Sequence, residues 1–166
     1  MEINKQNNLL ELFYQQYLKE KPDQIFLKSL KNLENKFTWK ETYLNILKLS
    51  EELSSFIENK DRCLLISENR PEWMISDLAI MLSKGITVPA YTTYVERDYE
   101  YLINDCNPSV VIVSDSLQYN KIKNIVKSKP FIKKILSFEE IKDASDVICI
   151  KTVSYTHLTL PTRAVV

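Results

Sequence analysis

Asn69 and Arg70 are the two residues of this chain whose types and position best suit ligand binding. They lie in residues 67–73 (SENRPEW), which follow the apolar run 63–66 and precede a stretch of helical periodicity. Open α/β sheets bind ligands where the carboxyl ends of strands meet helix N-termini, so an amide and a guanidinium there could face a ligand. The sequence therefore makes Asn69 and Arg70 ligand-edge candidates.

A local explanation accounts for the same residues without a ligand. Asn69 and Arg70 can shape the turn, while Pro71, Glu72 and Trp73 start and anchor the helix that follows. Proline presets the backbone angle of the first helical turn, and a glutamate suits the positive end of the helix dipole. This structural explanation has the greater weight, and the ligand role stays open beside it.

Hydroxyl-bearing side chains follow a second apolar run, residues 86–90. Tyr91, Thr92, Thr93 and Tyr94 could line an acyl or nucleotide pocket at the carboxyl end of a strand. Because connections between strands and helices run over the protein surface, an ordinary polar loop is the simpler interpretation. We assign these four residues no chemical role.

Ser154, His157 and Asp146 supply the side-chain types of a hydrolytic triad. The serine lacks the flanking glycines that expose a nucleophile on a tight strand-to-helix turn. We therefore reject a hydrolase, and we predict no catalytic residue in this chain.

Metal, redox and phosphate-loop chemistry are also disfavoured by the sequence. Cys63, Cys106 and Cys149 are far apart, and they lie in predicted strands or on the apolar face of a predicted helix. Such positions suit small buried hydrophobic residues better than metal ligands or disulfides. Gly85 is the only glycine, whereas a loop that cradles phosphates needs several for close backbone approach. We predict no metal-binding and no cofactor-binding residue in this chain.

Three short apolar runs alternate with two helical stretches in the middle of the chain. The runs are residues 63–66, 86–90 and 110–113, and each is apolar on consecutive residues. Consecutive apolar residues indicate strands covered on both faces, and the alternation with helices indicates parallel strands joined by crossovers. The predicted fold is α/β, with a largely parallel sheet flanked by helices.

The first crossover helix is predicted over residues 72–84. Its polar residues, Ser76 among them, form a narrow stripe, so the helix should be mostly buried, with Trp73 as a core anchor. Gly85 follows directly, where a left-handed residue would end the helix.

Further elements flank this central unit. Thr38 and Glu41 form a capping box, which predicts a helix that runs to about Asn59. We also expect an N-terminal helix (residues 10–18), a small hairpin (25–30 with 36–38), a later helix (118–127) and two more strands (133–138 and 147–150).

Charge and hydropathy argue against several kinds of partner. The chain has 22 basic and 22 acidic residues in no block of like charge, so no nucleic acid or anionic membrane is expected as a partner. The first residues do not resemble a signal peptide, and no apolar run approaches the roughly 18 residues that span a bilayer. We expect a cytoplasmic protein without a transmembrane segment.

An ordered set of motifs resembles the N-terminal region of AMP-forming long-chain acyl-CoA synthetases, which belong to the adenylate-forming ligase superfamily. The motifs are SENRPEW (67–73), DLAI (77–80), GITVP (85–89), YLINDC (101–106) and VVIVSD (110–115), and the resemblance covers roughly residues 8–150. It implies that the chain is the first subdomain of such a ligase.

The resemblance also implies a reaction for the full-length enzyme. That enzyme would use ATP and Mg²⁺ to activate a fatty acid as acyl-adenylate and would then transfer the acyl group to CoA. The family's catalytic groups, acyl pocket and C-terminal lid lie downstream of residue 150, so no catalytic residue carries over to this chain. A full-length enzyme of this kind would lie in the cytoplasm, with a peripheral position at a membrane also open.

We expect residues 1–152 to be the N-terminal part of an AMP-binding domain and residues 153–166 to be a non-native tail. The tail, VSYTHLTLPTRAVV, lacks the glycines and the lysine of the phosphate loop that the resemblance implies at that place. The chain would then be an inactive fragment of a long-chain ligase. Two alternatives stay open: a non-catalytic binding or interaction module derived from such a ligase, and an unrelated doubly wound nucleotide-binding domain, which the missing glycine loop disfavours.

Overall fold

The computed structural model describes residues 8–142 and 144–150 of the chain. The helices are α1 (Leu9–Tyr17), α2 (Trp39–Ser54), α3 (Pro71–Leu82), α4 (Glu96–Cys106) and α5 (Ser116–Lys127). The strands are β1 (Ile25–Lys28), β2 (Lys36–Thr38), β3 (Arg62–Ile66), β4 (Ile86–Ala90), β5 (Val110–Val113), β6 (Lys134–Ser137) and β7 (Val147–Cys149). Within this part of the chain, no helix is long and apolar enough to cross a membrane.

Five strands form a parallel sheet in the order β4-β3-β5-β6-β7, and β1 and β2 form a separate antiparallel hairpin. Alternate side chains of β3 enter opposite layers. Cys63 and Leu65 pack with α1, α2 and α3, whereas Leu64 and Ile66 pack with α4 and α5. The sheet is thus covered on both faces, which is why its strands are apolar on consecutive residues. The predicted α/β fold is confirmed.

The start of α2 follows its capping residues. The Thr38 hydroxyl accepts a hydrogen bond from the Glu41 N–H at 3.1 Å, and the Glu41 carboxylate accepts one from the Thr38 N–H at 2.8 Å. The predicted capping box is therefore confirmed. The helix ends at Ser54 rather than near Asn59, because short-range backbone hydrogen bonds tighten the chain after it, although Ile57 stays buried.

The predicted left-handed role of Gly85 is wrong. The residue with positive φ at the end of α3 is Lys84, with φ of 64°, and the backbone of Gly85 does not need that region. A side chain at position 85 would instead be crowded, because an added Cβ would lie 3.0 Å from Ile80 Cγ2 and 3.3 Å from Ile57 Cγ2. The glycine allows the chain to pass close to α3 as it enters β4.

The predicted burial of α3 is only partly correct. Trp73 packs against the core as predicted, but its side chain is only half-buried. Leu82 is 41% exposed, whereas Ser76, assigned to the polar stripe, is only 1% exposed. The difference arises because α3 packs against α2 along one side and ends at the protein surface.

Candidate functional site

The candidate residues Asn69 and Arg70 lie where the sequence placed them, between the carboxyl end of β3 and the start of α3. The carboxyl ends of β3 and β6 meet at the same edge of the sheet, because both strands pair in parallel with β5. This geometry brings Phe138 and Glu139, which follow β6, next to Arg70. The edge therefore collects charged side chains from distant parts of the chain.

Arg70 contacts three carboxylates and an aromatic ring. Its Nε and Nη2 donate hydrogen bonds to the two oxygens of Glu72 at 2.9 and 3.2 Å, and its Nη1 donates to Glu139 Oε1 at 3.1 Å. Nη1 also lies 3.6 Å from Glu68 Oε1, and the guanidinium carbon lies 5.4 Å from the centre of the Phe138 ring. Because the Arg70 side chain is only 12% exposed, these contacts occupy most of its surface.

Glu72 is shared between Arg70 and the hairpin. Asn35, which precedes β2, donates to both carboxylate oxygens of Glu72 at 3.0 and 3.2 Å. Burial of Glu72 acts to raise its pKa, but the hydrogen bonds from Arg70 and Asn35 and the charge of Arg70 outweigh burial. The pKa of Glu72 is therefore held below its ordinary value, and the carboxylate stays ionised at neutral pH.

The electrostatics of Arg70 point to a structural role at this turn. Burial acts to lower its pKa, but hydrogen bonds and charges from Glu72, Glu139 and Glu68 outweigh burial and raise the pKa above its ordinary value. Arg70 is therefore permanently charged and cannot exchange a proton in a reaction. It joins the start of α3 to the end of β6 and, through Glu72, to the hairpin. A ligand role for Arg70 stays a prediction.

Asn69 differs from its neighbour because its side chain is exposed. It borders an open cleft of about 390 Å³ that is also lined by Trp73, Met74 and Leu9. An exposed amide beside apolar side chains could orient a polar group of a ligand. The ligand role of Asn69 likewise stays a prediction.

The connection between β4 and α4 is held by side chains that donate to its backbone. The Tyr99 hydroxyl donates to the Tyr91 carbonyl at 2.7 Å, and Lys121 Nζ donates to the carbonyls of Thr92 and Tyr94 at 2.6 and 3.3 Å. Burial raises the pKa of Tyr99 to about 12, so its phenol stays protonated and keeps donating. The Tyr91 ring itself is 72% exposed. Tyr99 and Lys121 thus hold a loop whose own side chains remain accessible.

Ser154 and His157, two of the three residues of the rejected hydrolytic triad, lie outside the described residues. Asp146 is described, and both of its carboxylate oxygens lie 3.2 Å from the Tyr119 hydroxyl that donates to them. This contact joins the start of β7 to α5. The rejection of a hydrolase stays a prediction.

The cysteines lie where the sequence predicted. Cys63 and Cys106 are buried free thiols, and Cys149 lies in β7 with its Sγ 3.8 Å from the Phe138 carbonyl oxygen. Burial raises the pKa of the Cys63 thiol to about 12 and also raises that of Cys106, so these two thiols are poor nucleophiles. Among residues 8–142 and 144–150, no group of three or more histidine, cysteine, aspartate or glutamate side chains could hold a metal ion.

A cleft of about 400 Å³ opens between α2, α3, β2 and the ends of β6 and β7, and we call it the α2–α3 cleft. Its apolar lining includes Phe37, Leu49, Ile75, Phe138 and Ile150. Asn35 and Glu72, which belong to the Arg70 network, line one side of it. No local sequence pattern indicates this cleft, because its walls come from five elements separated along the chain.

The partners of Arg70 were also missed. Glu139 is 69 residues away from Arg70, and Asn35 is 37 residues away from Glu72. No local pattern links residues at such distances. The one available signal was the predicted parallel sheet, which brings residues that follow different strands to a common edge.

Comparison with known proteins supplies the family. Residues 14–161 match the family described as AMP-binding enzyme. A long-chain-fatty-acid–CoA ligase of Rattus norvegicus is 29% identical over 84 residues, which are 51% of this chain and 12% of the ligase. A long chain acyl-CoA synthetase of Arabidopsis thaliana is 28% identical over 102 residues, which are 61% of this chain and 15% of the synthetase. The chain thus spans a small part of these relatives.

Solved structures show the same fold at low sequence identity. The coronafacic acid ligase of Pectobacterium brasiliense superposes with a TM-score of 0.77 at 17% identity, covering 89% of this chain and 29% of the ligase. An anthranilate CoA ligase in complex with anthranoyl-AMP gives a TM-score of 0.76 at 18% identity, covering 89% of this chain and 28% of that protein. Because residues 14–161, most of the chain, match this family, the chain belongs to the AMP-binding enzyme family.

Proposed function

We propose that this chain is the N-terminal part of an AMP-forming long-chain fatty acid CoA ligase. In such an enzyme the fatty acid carboxylate attacks ATP to give acyl-adenylate and pyrophosphate, and the CoA thiol then displaces AMP to give acyl-CoA. The match of residues 14–161 to the AMP-binding enzyme family carries this proposal. The long-chain ligases among the curated relatives support the choice of a fatty acid as substrate.

Three features of the described residues support a place for ATP, Mg²⁺ and CoA elsewhere in the ligase. The guanidinium of Arg70 is already bound to Glu72 and Glu139, so it is not free to bind a phosphate. The described residues contain no group of side chains suited to a metal ion, and Gly85, the only glycine of the sequence, lies at the end of α3. We therefore assign the binding of ATP, Mg²⁺ and CoA to ligase sequence beyond residue 150, and we derive no catalytic step on this chain.

The domain assignment follows from the same proposal. We propose residues 1–152 as the start of the AMP-binding domain. That residues 153–166, which lie outside the described residues, are a non-native tail stays a prediction, and the family match runs into them as far as residue 161. The share of the relatives that the chain spans, 12% and 15%, supports a piece of a longer enzyme. The cytoplasmic location expected from the sequence stays a prediction.

Sequencing of the source locus with long reads tests the proposal. We expect VSYTHLTLPTRAVV to be replaced by a loop rich in serine, threonine and glycine that contains a lysine, followed by several hundred further codons. A locus that encodes the tail as written, with a stop codon after Val166, would contradict the proposal.

A direct binding measurement adds a second test. Titration calorimetry of the 166-residue chain with ATP and Mg²⁺ should show no binding in the micromolar range, because a sequence with one glycine has no glycine-rich loop to cradle the triphosphate. Pyrophosphate release with palmitate, ATP and Mg²⁺ should also be absent. Either signal would show that the chain has a nucleotide site of its own.

The second candidate function is a non-catalytic binding or interaction module derived from such a ligase. One observation favours it: at the described sheet edge, Arg70 is bound to the carboxylates of Glu68, Glu72 and Glu139 and so is engaged within the fold itself. A genuine stop codon after Val166 together with stable folding of the isolated chain would select this candidate over the fragment.

A further inference from the structure

The connection between β1 and β2, residues 29–35, exposes two leucines to water, and we call it the hairpin tip. Leu30 is 94% exposed, the highest value for a large hydrophobic side chain in the described part of the chain, and Leu33 is 59% exposed. Single exposed leucines are common on protein surfaces. Two of them in one short connection indicate contact with another apolar surface.

The backbone of the hairpin tip is bonded within the tip. The N–H of Ser29 donates to the Asn35 carbonyl at 2.8 Å, and the N–H of Asn35 donates to the Asn32 carbonyl at 3.0 Å. The N–H groups of Lys31 and Asn32 donate to the Ser29 hydroxyl at 3.3 and 3.2 Å, and that of Glu34 donates to Asn32 Oδ1 at 3.1 Å. These bonds lower the cost of moving the tip from water into an apolar layer, where an unbonded N–H group is unfavourable.

The hairpin tip is also fixed to the body of the protein. Asn35 donates to both carboxylate oxygens of Glu72 at 3.0 and 3.2 Å, and Arg70 binds the same carboxylate. The leucines are therefore presented from a preorganised backbone, so binding through them costs little conformational entropy.

The charges around the hairpin tip balance. Residues 28–36 contain three lysines, Lys28, Lys31 and Lys36, and one acid, Glu34, and all four side chains are exposed. The adjoining sheet edge adds Arg70 and the three carboxylates that it contacts. Four positive and four negative charges give no net attraction to an anionic surface, in agreement with the expectation from the whole chain. The lysine stems can still lie beside the leucines with their ammonium groups at the level of phosphates.

A lipid bilayer suits the hairpin tip better than a protein partner does. A bilayer accepts an exposed apolar tip without a matching groove, whereas a protein must supply one. The tip also combines leucines with lysines in one short segment, which is typical of sites at the boundary between lipid headgroups and acyl chains.

We propose that the hairpin tip inserts Leu30 and Leu33 into the surface layer of a neutral phospholipid bilayer, with Lys28, Lys31 and Lys36 at the lipid phosphates. The attachment is reversible, because two leucines bury far less apolar surface than a spanning helix. This site goes beyond the proposed ligase reaction, since it needs neither ATP nor the catalytic part of the enzyme.

Flotation of the full 166-residue chain with phosphatidylcholine vesicles tests the proposal. We expect half of the chain to be bound at roughly millimolar lipid, which is weaker than the binding that a single acyl chain provides. Vesicles of equal parts phosphatidylcholine and phosphatidylglycerol should change this lipid concentration by less than about threefold, because the charges around the tip balance.

Serine variants of the two leucines identify the inserted residues. Leu30→Ser should raise the lipid concentration for half-binding roughly tenfold, because it removes one buried leucine side chain. Leu33→Ser should raise it less, since Leu33 is already partly covered, and the double variant should abolish binding. All three changes lie on the surface and should leave the fold intact, which amide NMR spectra will report.

Leu117→Ser is the matched control. Leu117 is 63% exposed, close to the value for Leu33, but it lies in α5. Helix α5 packs on the opposite face of the sheet from the layer that the hairpin contacts through Phe26 and Phe37. This variant should therefore bind phosphatidylcholine vesicles like the parent chain.

Four outcomes would overturn the proposal. The first is the absence of flotation with phosphatidylcholine, and the second is equal weakening by Leu117→Ser. The third is binding to the anionic vesicles alone that Leu30→Ser leaves unchanged, which would assign it to charge. The fourth is self-association without vesicle binding that Leu30→Ser abolishes, which would assign the tip to a second copy of the chain. Flotation requires no ligase activity, so each of these results leaves the proposed function standing.

Discussion

The two strand-to-helix connections at the carboxyl edge of the sheet are held in different ways. The connection from β3 to α3 depends on charged side chains, with Arg70 bound to Glu72 and Glu139. The connection from β4 to α4 depends on Tyr99 and Lys121, which donate hydrogen bonds to backbone carbonyls of the loop. The first connection engages its own Arg70 in ion pairs but leaves Asn69 exposed. In the second, groups outside the loop fix its backbone.

This difference shows which groups at the edge remain available to a ligand. Arg70 has the charge that suits an anion, but its guanidinium is occupied by carboxylates. Asn69, Tyr91 and Thr93 lie at the same edge with exposed side chains. If this edge contributes to a ligand site, the contacts should come from these residues rather than from Arg70.

Among the variants that test this comparison, Arg70→Ala should change the free energy of unfolding most. The change leaves Glu72, whose side chain is only 14% exposed, without its cation, and we expect a loss of about 3–5 kcal/mol in the free energy of unfolding. Urea unfolding followed by fluorescence measures it. Arg97→Ala, an exposed arginine on α4, is the control and should change stability by less than about 0.5 kcal/mol. If the Arg70→Ala curve overlays that of the parent, the charged network does not hold the first connection.

Trp73→Ala removes the aromatic residue from the first turn of α3. Because Trp73 is half-buried against the core, we expect a loss of roughly 2 kcal/mol, below the about 3–5 kcal/mol of a fully buried aromatic residue. Tyr101, which is 73% exposed on α4, supplies the control variant Tyr101→Ala. An unchanged denaturation midpoint would show that Trp73 does not stabilise the core, and it would strengthen a ligand role for the turn at Asn69.

Tyr99→Phe tests the second connection by deleting one hydrogen bond. The ring stays in the core, but the Tyr91 carbonyl loses its donor at 2.7 Å, so we expect a loss of about 1 kcal/mol. Thermal unfolding measures the difference, and Tyr101→Phe should have no effect. Faster hydrogen exchange in the loop of Tyr99→Phe would localise the change. A stability equal to that of the parent would show that Lys121 alone is sufficient to hold the loop.

The smallest expected effect is a pH dependence of the stability that Glu72 contributes at the first connection. Because the folded pKa of Glu72 is held below its ordinary value of about 4.3, its ionised form stabilises the fold above that pH. This contribution is lost as the pH falls through the lowered pKa. The stability difference between the parent chain and Glu72→Gln should therefore narrow between pH 6 and pH 3. The exposed residue Glu100 supplies the control variant Glu100→Gln.

Local chemistry was sufficient to predict the elements. The capping box of Thr38 and Glu41 starts α2, and the consecutive apolar residues of β3 and β5 pair in parallel within a covered sheet. These features depend on residues within one or two helical turns, or on burial of both faces of a strand. The same patterns, together with the order of the motifs, were sufficient to indicate the family.

Long-range packing decided the roles of individual residues. Gly85 looked like a left-handed helix end, but the constraint there is crowding, because a Cβ would lie only 3.0 Å from Ile80 Cγ2 and 3.3 Å from Ile57 Cγ2. Arg70 looked like a ligand candidate, but Glu139, 69 residues away, takes part of its hydrogen-bonding capacity. By itself the sequence determined the elements and the family, because those depend on local periodicity and motif order. Only the tertiary structure decided which polar groups are satisfied and which, like Ser76, are left without a partner, because that depends on residues far apart in sequence.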